Sequence, residues 1–233
     1  MQSKFTSLCA NALGLRMNRR KDCPAGKRNT HPFYAWHSQC SPLIQWIFTV
    51  CLGLKDDGRT TYDKINADWI LEAPREFKIS FLQGLADSDG FVDFSAQQAA
   101  VITHPNTDLI EKIFISLEVK TRRWLITQTG LWCLVMGIKD AYNLPLFNPY
   151  VKCYRYEKVI KLFNAKRLSG HTPEWLSRKV NEYIKSGLSG TKLVEKIIDE
   201  YGIAIRTKNI LRRKRKMERE KWLTCLGIES TAL

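Results

Sequence analysis

Hydrophobic and polar positions change their spacing repeatedly along the middle of the chain. Stretches with apolar residues three to four apart, typical of helices, alternate with stretches in which every second residue is apolar, typical of strands. The pattern predicts a helix over 77–89, a hairpin over 91–103, a helix over 109–117, strands over 119–127 and 131–138, and a helix over 154–165. This order of elements predicts an α+β fold with a mostly antiparallel sheet.

The two flanks of this region carry different patterns. The front part predicts a helix over 4–15, a basic turn-rich stretch over 16–29, a strand over 31–36, and helices over 41–52 and 65–71. Behind a boundary near 169–173 the spacing is helical throughout and predicts helices over 174–185, over 191–200 and from 207 onward. We therefore divide the chain into a partial unit over 1–75, a complete α+β unit over 76–168 and a basic helical domain over 172–221.

The charge of the chain is large and unevenly distributed. The formal net charge is +14, which favours a polyanionic partner such as a nucleic acid. Residues 1–30 carry seven Lys or Arg and one acid, residues 31–151 ten and thirteen, and residues 152–221 twenty and eight. Basic flanks around a slightly acidic middle are the arrangement expected if the flanks hold phosphates and the middle holds a metal.

Several other classes of protein are disfavoured. The seven cysteines have no regular spacing, so a disulfide framework is not expected. The N-terminus lacks the pattern of a signal peptide, and the longest apolar run is too short to span a bilayer. These features predict an intracellular protein that is neither secreted nor attached to a membrane.

A helix that ends in Asp87-Ser88-Asp89-Gly90 suits a particular chemistry. Hydrolysis of a phosphodiester is assisted by a metal that polarises the phosphoryl oxygen and lowers the pKa of water. Mg²⁺ prefers one or two carboxylates, with water and phosphate as its remaining ligands. Small residues at Gly84, Ala86 and Ser88 would let a second helix approach closely, so that two such helices bring two carboxylates together.

The segment over residues 81–90, FLQGLADSDG, resembles the LAGLIDADG motif of homing endonucleases. The surrounding region resembles the αββαββα repeat of that family. The resemblance implies that Asp89, the last motif aspartate, binds the catalytic Mg²⁺ and that Asp87 is the neighbouring carboxylate, a metal ligand or a helix cap. It also implies catalytic positions for Lys152, which would face the attacking water, and for His104, which would order water.

The resemblance to this family is incomplete, because only one motif is visible. Residues 1–75 resemble the second part of another repeat that lacks its motif helix. The sequence leaves three explanations open: a start that is too late, a remnant of a larger protein, and a homodimer through the single motif helix.

The family resemblance further implies binding of double-stranded DNA, with the sheet in the major groove and its outward side chains reading base edges. The two helices followed by a basic helix are typical of a helix-turn-helix. The predicted DNA-binding residues are Asp93, Ser95, Gln97, Lys120, Arg122 and Arg123 in the sheet region and Arg206, Lys208, Arg212, Arg213 and Arg215 in the helical region.

Two alternatives to a site-specific DNA endonuclease remain. A catalytically inactive DNA-binding regulator, or a remnant of the enzyme, would explain the missing second motif. An RNA maturase acting on intron RNA would suit the basic flanks equally well. The intact carboxylates at Asp87 and Asp89 favour the enzyme, because carboxylates repel phosphate unless a cation lies between them.

Overall fold

The computed structural model describes part of the chain. The described residues are 7, 10–11, 14, 16–23, 33–38, 42–54, 63–94, 96–151, 153–168, 172–188, 190–206, 215 and 218. The chain divides into two compact units, residues 1–68 and residues 69–233. Within the residues that the structure describes, no helix is long and apolar enough to cross a membrane.

The first unit contains an antiparallel hairpin. Strand β1 (Met17–Cys23) pairs with β2 (Phe33–Ser38), and helix α1 (Pro42–Trp46) continues as a π-helical turn to Cys51. The prediction of a turn-rich stretch over 16–29 is wrong for β1, because its MNRRKDC sequence has no alternation and its strand is defined only by pairing. Of the helix predicted over 4–15, the described residues 7, 10 and 11 are helical and residue 14 is not.

The second unit combines helices with a four-stranded antiparallel sheet. Its first element is a short 3₁₀ helix, Asp68–Glu72, which begins at the last residue of the first unit and stands in the place of the predicted helix over 65–71. The elements that follow are α2 (Arg75–Asp89), β3 (Gly90–Asp93), β4 (Gln98–Ile102), α3 (Thr107–Ser116), β5 (Arg122–Ile126), β6 (Leu131–Gly137), α4 (Ile138–Asn143) and α5 (Cys153–Asn164). The predicted α+β class is confirmed at the level of mixed helices and an antiparallel sheet. Helix α4 was not predicted, because the apolar run of β6 was extended to residue 138.

The sheet has the strand order β3-β4-β6-β5. Its registers pair Gly90 with Val101, Ile102 with Cys133 and Trp124 with Cys133. Directly opposed residues share a face, so these registers sort the side chains onto two faces. One face carries the buried side chains of Ala99, Val101, Leu134 and Met136 and lies against the helices.

The other face, which we call the open face, has a floor of small buried side chains. Ala100, Cys133 and Val135 form this floor, and Phe91, Ile102 and Ile126 pack over it half-buried. Burial raises the pKa of the Cys133 thiol, while Arg122 nearby partly opposes the shift.

The second unit ends in a helical pair, α6 (Glu174–Lys185) and α7 (Gly190–Tyr201), at the predicted positions. Buried Leu176 and Val180 of α6 lie with buried Leu193 and Ile197 of α7 on the apolar faces of the two helices. Strand β7 (Lys166–Arg167), which directly follows α5, pairs in parallel with β8 (Ile203–Ala204), which directly follows α7. An ion pair between Lys161 and Asp199 adds a second link between α5 and α7.

Candidate metal and nucleic-acid site

The carboxyl end of α2 carries two aspartates in different environments. Asp89 is the last residue of the helix, and its side chain is exposed. Asp87 is 7 % exposed, and its Oδ1 accepts a hydrogen bond of 3.2 Å from the backbone N–H of Asn148. Asp89 therefore presents a carboxylate to solvent, whereas Asp87 holds the loop before α5.

Two carboxylates at this end of a helix are electrostatically unfavourable. The last turn of α2 contains no basic residue, and the carbonyl end of a helix already bears partial negative charge. Each anion placed there costs about 0.3–1 kcal/mol at the surface. A cation at this point would be stabilised by both the carboxylate and the helix, so the placement of Asp89 fits cation binding better than it fits stability.

A positive charge from another element compensates part of this cost. Arg155 Nη1 donates hydrogen bonds to the backbone oxygens of Ala86 at 2.8 Å and of Asp87 at 2.9 Å. Gln83 Nε2 donates to the backbone oxygen of Pro145 at 2.7 Å and fixes α2 to the same connecting loop. The loop and the first turn of α5 therefore hold the last two turns of α2 that lead to Asp89.

Arg155 was missed by the sequence reasoning, although a signal was present. It lies in the first turn of α5, where a cation is disfavoured by the helix dipole. An arginine at an unfavourable helix position suggests a partner elsewhere, and here the partner is the carbonyl end of α2.

Gly90 fixes the junction between α2 and β3. A Cβ at this position would lie 2.5 Å from the backbone oxygen of Ala86 and 2.8 Å from Cε1 of Phe147. The predicted end of the helix at this glycine is confirmed, and the reason for the glycine is close packing. Gly84 differs, because apart from its chain neighbours and the backbone of its own helix no described heavy atom lies within 4 Å of a Cβ built there.

Of the two further catalytic candidates, His104 and Lys152, the structure describes only His104. The register of Gly90 with Val101 brings Asp89, just before β3, and His104, two residues past β4, to the same end of the strand pair. His104 is exposed there, and its backbone N–H donates to the oxygen of Trp132 at 3.2 Å. Lys152 lies outside the described residues.

Mg²⁺ fits Asp89 by the chemistry of its donor. An exposed carboxylate on a fixed helix end supplies the hard oxygen that Mg²⁺ prefers, and water and phosphate complete its coordination. Asp87 fits less well, because its carboxylate is buried and accepts a backbone hydrogen bond. The described part of the chain brings together no group of three or more His, Cys, Asp or Glu side chains for a metal.

The turn between β3 and β4 changes the expected placement of the DNA-binding candidates. Asp93 ends β3, and its Oδ1 accepts a hydrogen bond of 3.1 Å from the N–H of Ala96. Gln97 is 7 % exposed with a φ of 57° in the turn. The expectation that Asp93, Ser95 and Gln97 share one outward face is therefore wrong for Gln97, because the strand ends before it. Ser95 lies outside the described residues.

The adjacent arginines of β5 point to opposite faces. Arg123 lies on the helix side, with Nη2 2.8 Å from Asp108 and an ion pair to Glu111. The hydrogen bonds that Arg123 donates to the Glu111 carboxylate raise the pKa of Arg123. Arg122 lies on the open face, and Lys120 is exposed just before the strand. Arg122 and Arg123 therefore lie on opposite faces of the sheet, and Arg123, a predicted DNA-binding residue, is held in ion pairs on the helix side.

The polar groups of the open face gather at one end. Asp93 pairs with Gln98, and Arg122 pairs with Val135 near the carboxyl end of β6. The half nearer the Asp89 end presents Ile102, Trp124 and apolar neighbours instead. Hydrogen-bonding side chains that could read base edges are therefore confined to the far half of the face.

The helical pair shows where basic charge is and is not available. Helix α7 carries two lysines and three acids, and two of the acids, Asp199 and Glu200, form ion pairs with Lys161 and Lys196. This surface is unsuited to phosphate, and the basic surplus lies beyond it. Arg206 and Arg215 are exposed, and Arg215 is helical. Apart from Arg215 and helical Glu218, the predicted basic helix lies outside the described residues, and this includes Lys208, Arg212 and Arg213.

A polar contact fixes α6 against α7. The Tyr183 hydroxyl donates a hydrogen bond to the Glu200 carboxylate, and the Lys196 ammonium lies 4.8 Å from the centre of the Tyr183 ring. The hydrogen bond lowers the pKa of Glu200 and raises the pKa of Tyr183, because it stabilises the carboxylate beside the neutral phenol.

Comparisons with protein-family models, with curated proteins and with solved structures give no match to this chain.

Proposed function

We propose that this chain is a protein of the LAGLIDADG homing-endonuclease type that binds double-stranded DNA and uses a divalent cation at Asp89 to hydrolyse a phosphodiester. The observation that carries the proposal is the exposed Asp89 carboxylate at the held carbonyl end of α2. The order α2, β3, β4, α3, β5, β6, α5 supports it, because it follows the αββαββα order of the family with α4 as an insertion.

Each part of the chain has a defined task in this proposal. When bound, Mg²⁺ would polarise the phosphoryl oxygen and lower the pKa of water. Asp89 would hold the cation, and the hydrogen bonds from Arg155 would keep the helix end in place. His104, at the same end of the strand pair, would orient water. The basic residues of both flanks would bind phosphates and supply affinity that falls with added salt.

The second carboxylate of a two-motif site would come from another copy of the chain. The exposed side of α2 carries Gly84 and Ser88, and neither residue fills the space that a neighbouring helix would need. A homodimer through α2 would bring two Asp89 carboxylates together on one duplex. In a dimer, one motif in each chain is sufficient to supply both carboxylates of the site.

A DNA-binding regulator or an RNA maturase is the second candidate. The observation that favours the RNA maturase is the apolar half of the open face, because direct reading of paired bases requires hydrogen-bonding side chains, which that half lacks. The exposed Asp89 argues for the enzyme, since a protein that only binds gains nothing from an anion beside phosphate.

The test is cleavage of an unbiased library of DNA duplexes in Mg²⁺, with sequencing of the ends. The intact chain is compared with Asp89→Asn and with Asp108→Asn, an exposed aspartate on α3 that serves as the matched control. Cuts that require Mg²⁺, vanish in Asp89→Asn and persist in Asp108→Asn would support the enzyme. Binding of duplex without a cut by any variant would leave the regulator, and preferential binding of intron RNA would favour the maturase.

A further inference from the structure

Trp124 is an exposed aromatic side chain in an unusual position. It lies in the middle of β5, an edge strand, and 46 % of its surface is accessible. Its pairing with Cys133 places it on the open face, away from the helices that cover the other side. A large exposed aromatic ring beside an apolar floor marks an interaction surface more often than a solvated one.

The surface beside Trp124 is apolar and is formed by small side chains. Cys133 and Ala100 are small and fully buried, while Ile102 and Ile126 flank them half-buried. Such a surface offers no hydrogen bond to the edge of a base pair. It can accept the flat face of a base, because every base has a π face that stacks on an aromatic ring.

Positive charge runs along the same strand. Arg122 lies two residues before Trp124 on the same face, and Lys120 is exposed two residues earlier again. With the net charge of +14 over the whole chain, this line favours a polyanion. An aromatic platform beside a basic track is the combination by which proteins bind single-stranded nucleic acid.

We propose that the open face beside Trp124 binds an unpaired strand of nucleic acid, with a base stacked on Trp124 and the adjoining phosphates at Arg122 and Lys120. This inference goes beyond the proposed function, because it adds a site for unpaired nucleotides that does not depend on binding of the duplex or on the metal at Asp89. Trp124 stands on the strand at the opposite edge of the sheet from β3, three strand spacings or about 14 Å away. Substitution of Trp124 therefore leaves the surroundings of Asp89 intact.

The experiment measures binding of a labelled single-stranded oligo(dT), of oligo(U), and of a dA·dT duplex of the same length by fluorescence anisotropy in EDTA. The intact chain is compared with Trp124→Ala and Trp124→Phe. The matched control is Trp132→Ala, since Trp132 is 40 % exposed on the next strand but pairs with Leu125 and points to the helix side. Loss of one stacked base weakens binding of the single strand about tenfold.

The proposal expects Trp124→Ala to show this loss, Trp124→Phe to recover most of it, and Trp132→Ala and the duplex to change by less than about twofold. Oligo(dT) and oligo(U) separate a DNA from an RNA strand, and a loss with either one supports the surface. Equal losses in Trp124→Ala and Trp132→Ala, or equal losses on strand and duplex, would overturn it. A change from dimer to monomer in Trp124→Ala with unaltered oligonucleotide binding would also overturn it and assign the face to a second copy. EDTA excludes cleavage, so failure here is distinct from failure of the metal site.

Discussion

Replacement by alanine is expected to have opposite effects on stability at Gly84, within α2, and at Gly90, at the junction of α2 with β3. Gly90→Ala introduces a Cβ 2.5 Å from the backbone oxygen of Ala86, 3.0 Å from its Cα and 2.8 Å from the Phe147 ring. Two of these three atoms belong to the backbone of a hydrogen-bonded helix, so the clash is relieved only by moving the junction itself. Overpacking of this kind costs about 1–3 kcal/mol, and the rigid neighbours place Gly90→Ala at the upper end.

Gly84→Ala should stabilise the monomeric chain. The position is exposed in the middle of α2, and no described heavy atom outside its chain neighbours and the backbone of its own helix lies within 4 Å of the added methyl. Glycine in a helix interior is less stable than alanine by about 0.5–1 kcal/mol, so the substitution recovers that amount. The two variants are therefore expected to differ by about 3.5–4 kcal/mol in the free energy of unfolding.

The assay is urea unfolding of the full chain followed by circular dichroism, with hydrogen exchange of the α2 amides to assign the change to this helix. We expect the urea concentration at the unfolding midpoint to be lower for Gly90→Ala and higher for Gly84→Ala than for the parent chain. A Gly90→Ala variant as stable as the parent chain would refute the close approach at the junction. A destabilised Gly84→Ala would refute the open environment of that position, unless sedimentation showed that the parent chain is a dimer that the methyl separates.

Two further predictions concern contacts away from this junction. Arg155→Met leaves the Ala86 and Asp87 oxygens without their donor and should cost about 2 kcal/mol of unfolding free energy, part of which Arg155→Lys should recover. The control Arg178→Met removes only an exposed ion pair and should cost less than about 0.5 kcal/mol. Equal effects at 155 and 178 would contradict the hydrogen bonds. Because the pKa of Glu200 is lowered in the folded chain, its carboxylate stabilises the fold above the ordinary pKa of 4.5, and this stabilisation is lost as the pH falls through the folded pKa. Tyr183→Phe should therefore reduce the loss of unfolding free energy between pH 7 and pH 3. A pH dependence of stability that is the same in this variant and in the parent chain would argue against this contact.

The elements that could be predicted are those whose signal is local. Helix α6 has the predicted bounds, and α2 ends at the predicted residue, because apolar spacing and a terminal glycine are read within one segment. The end of α2 also drew attention to Asp89, whose chemistry depends on exposure at a helix end. The α+β class followed from the order of the elements.

The features that escaped prediction depend on distant partners. Strand β1 exists through its pairing with β2, and its own sequence does not alternate. Adjacent residues of a strand point to opposite faces, but which of Arg122 and Arg123 faces the helices is decided by the register with β6, which a single strand does not encode. The hydrogen bonds from Arg155 to α2 span nearly seventy residues of chain, so no spacing rule within either helix could show them.

The most direct test of the central claim is binding of a divalent cation at Asp89. Titration of the intact chain with Mn²⁺, a spectroscopic substitute for Mg²⁺, follows loss of the free-ion signal in electron paramagnetic resonance. We expect saturable binding that Asp89→Asn abolishes, that Mg²⁺ displaces and that Asp108→Asn preserves. Binding that is unchanged in Asp89→Asn, or lost equally in both variants, would contradict the assignment of Asp89 as the metal-binding carboxylate.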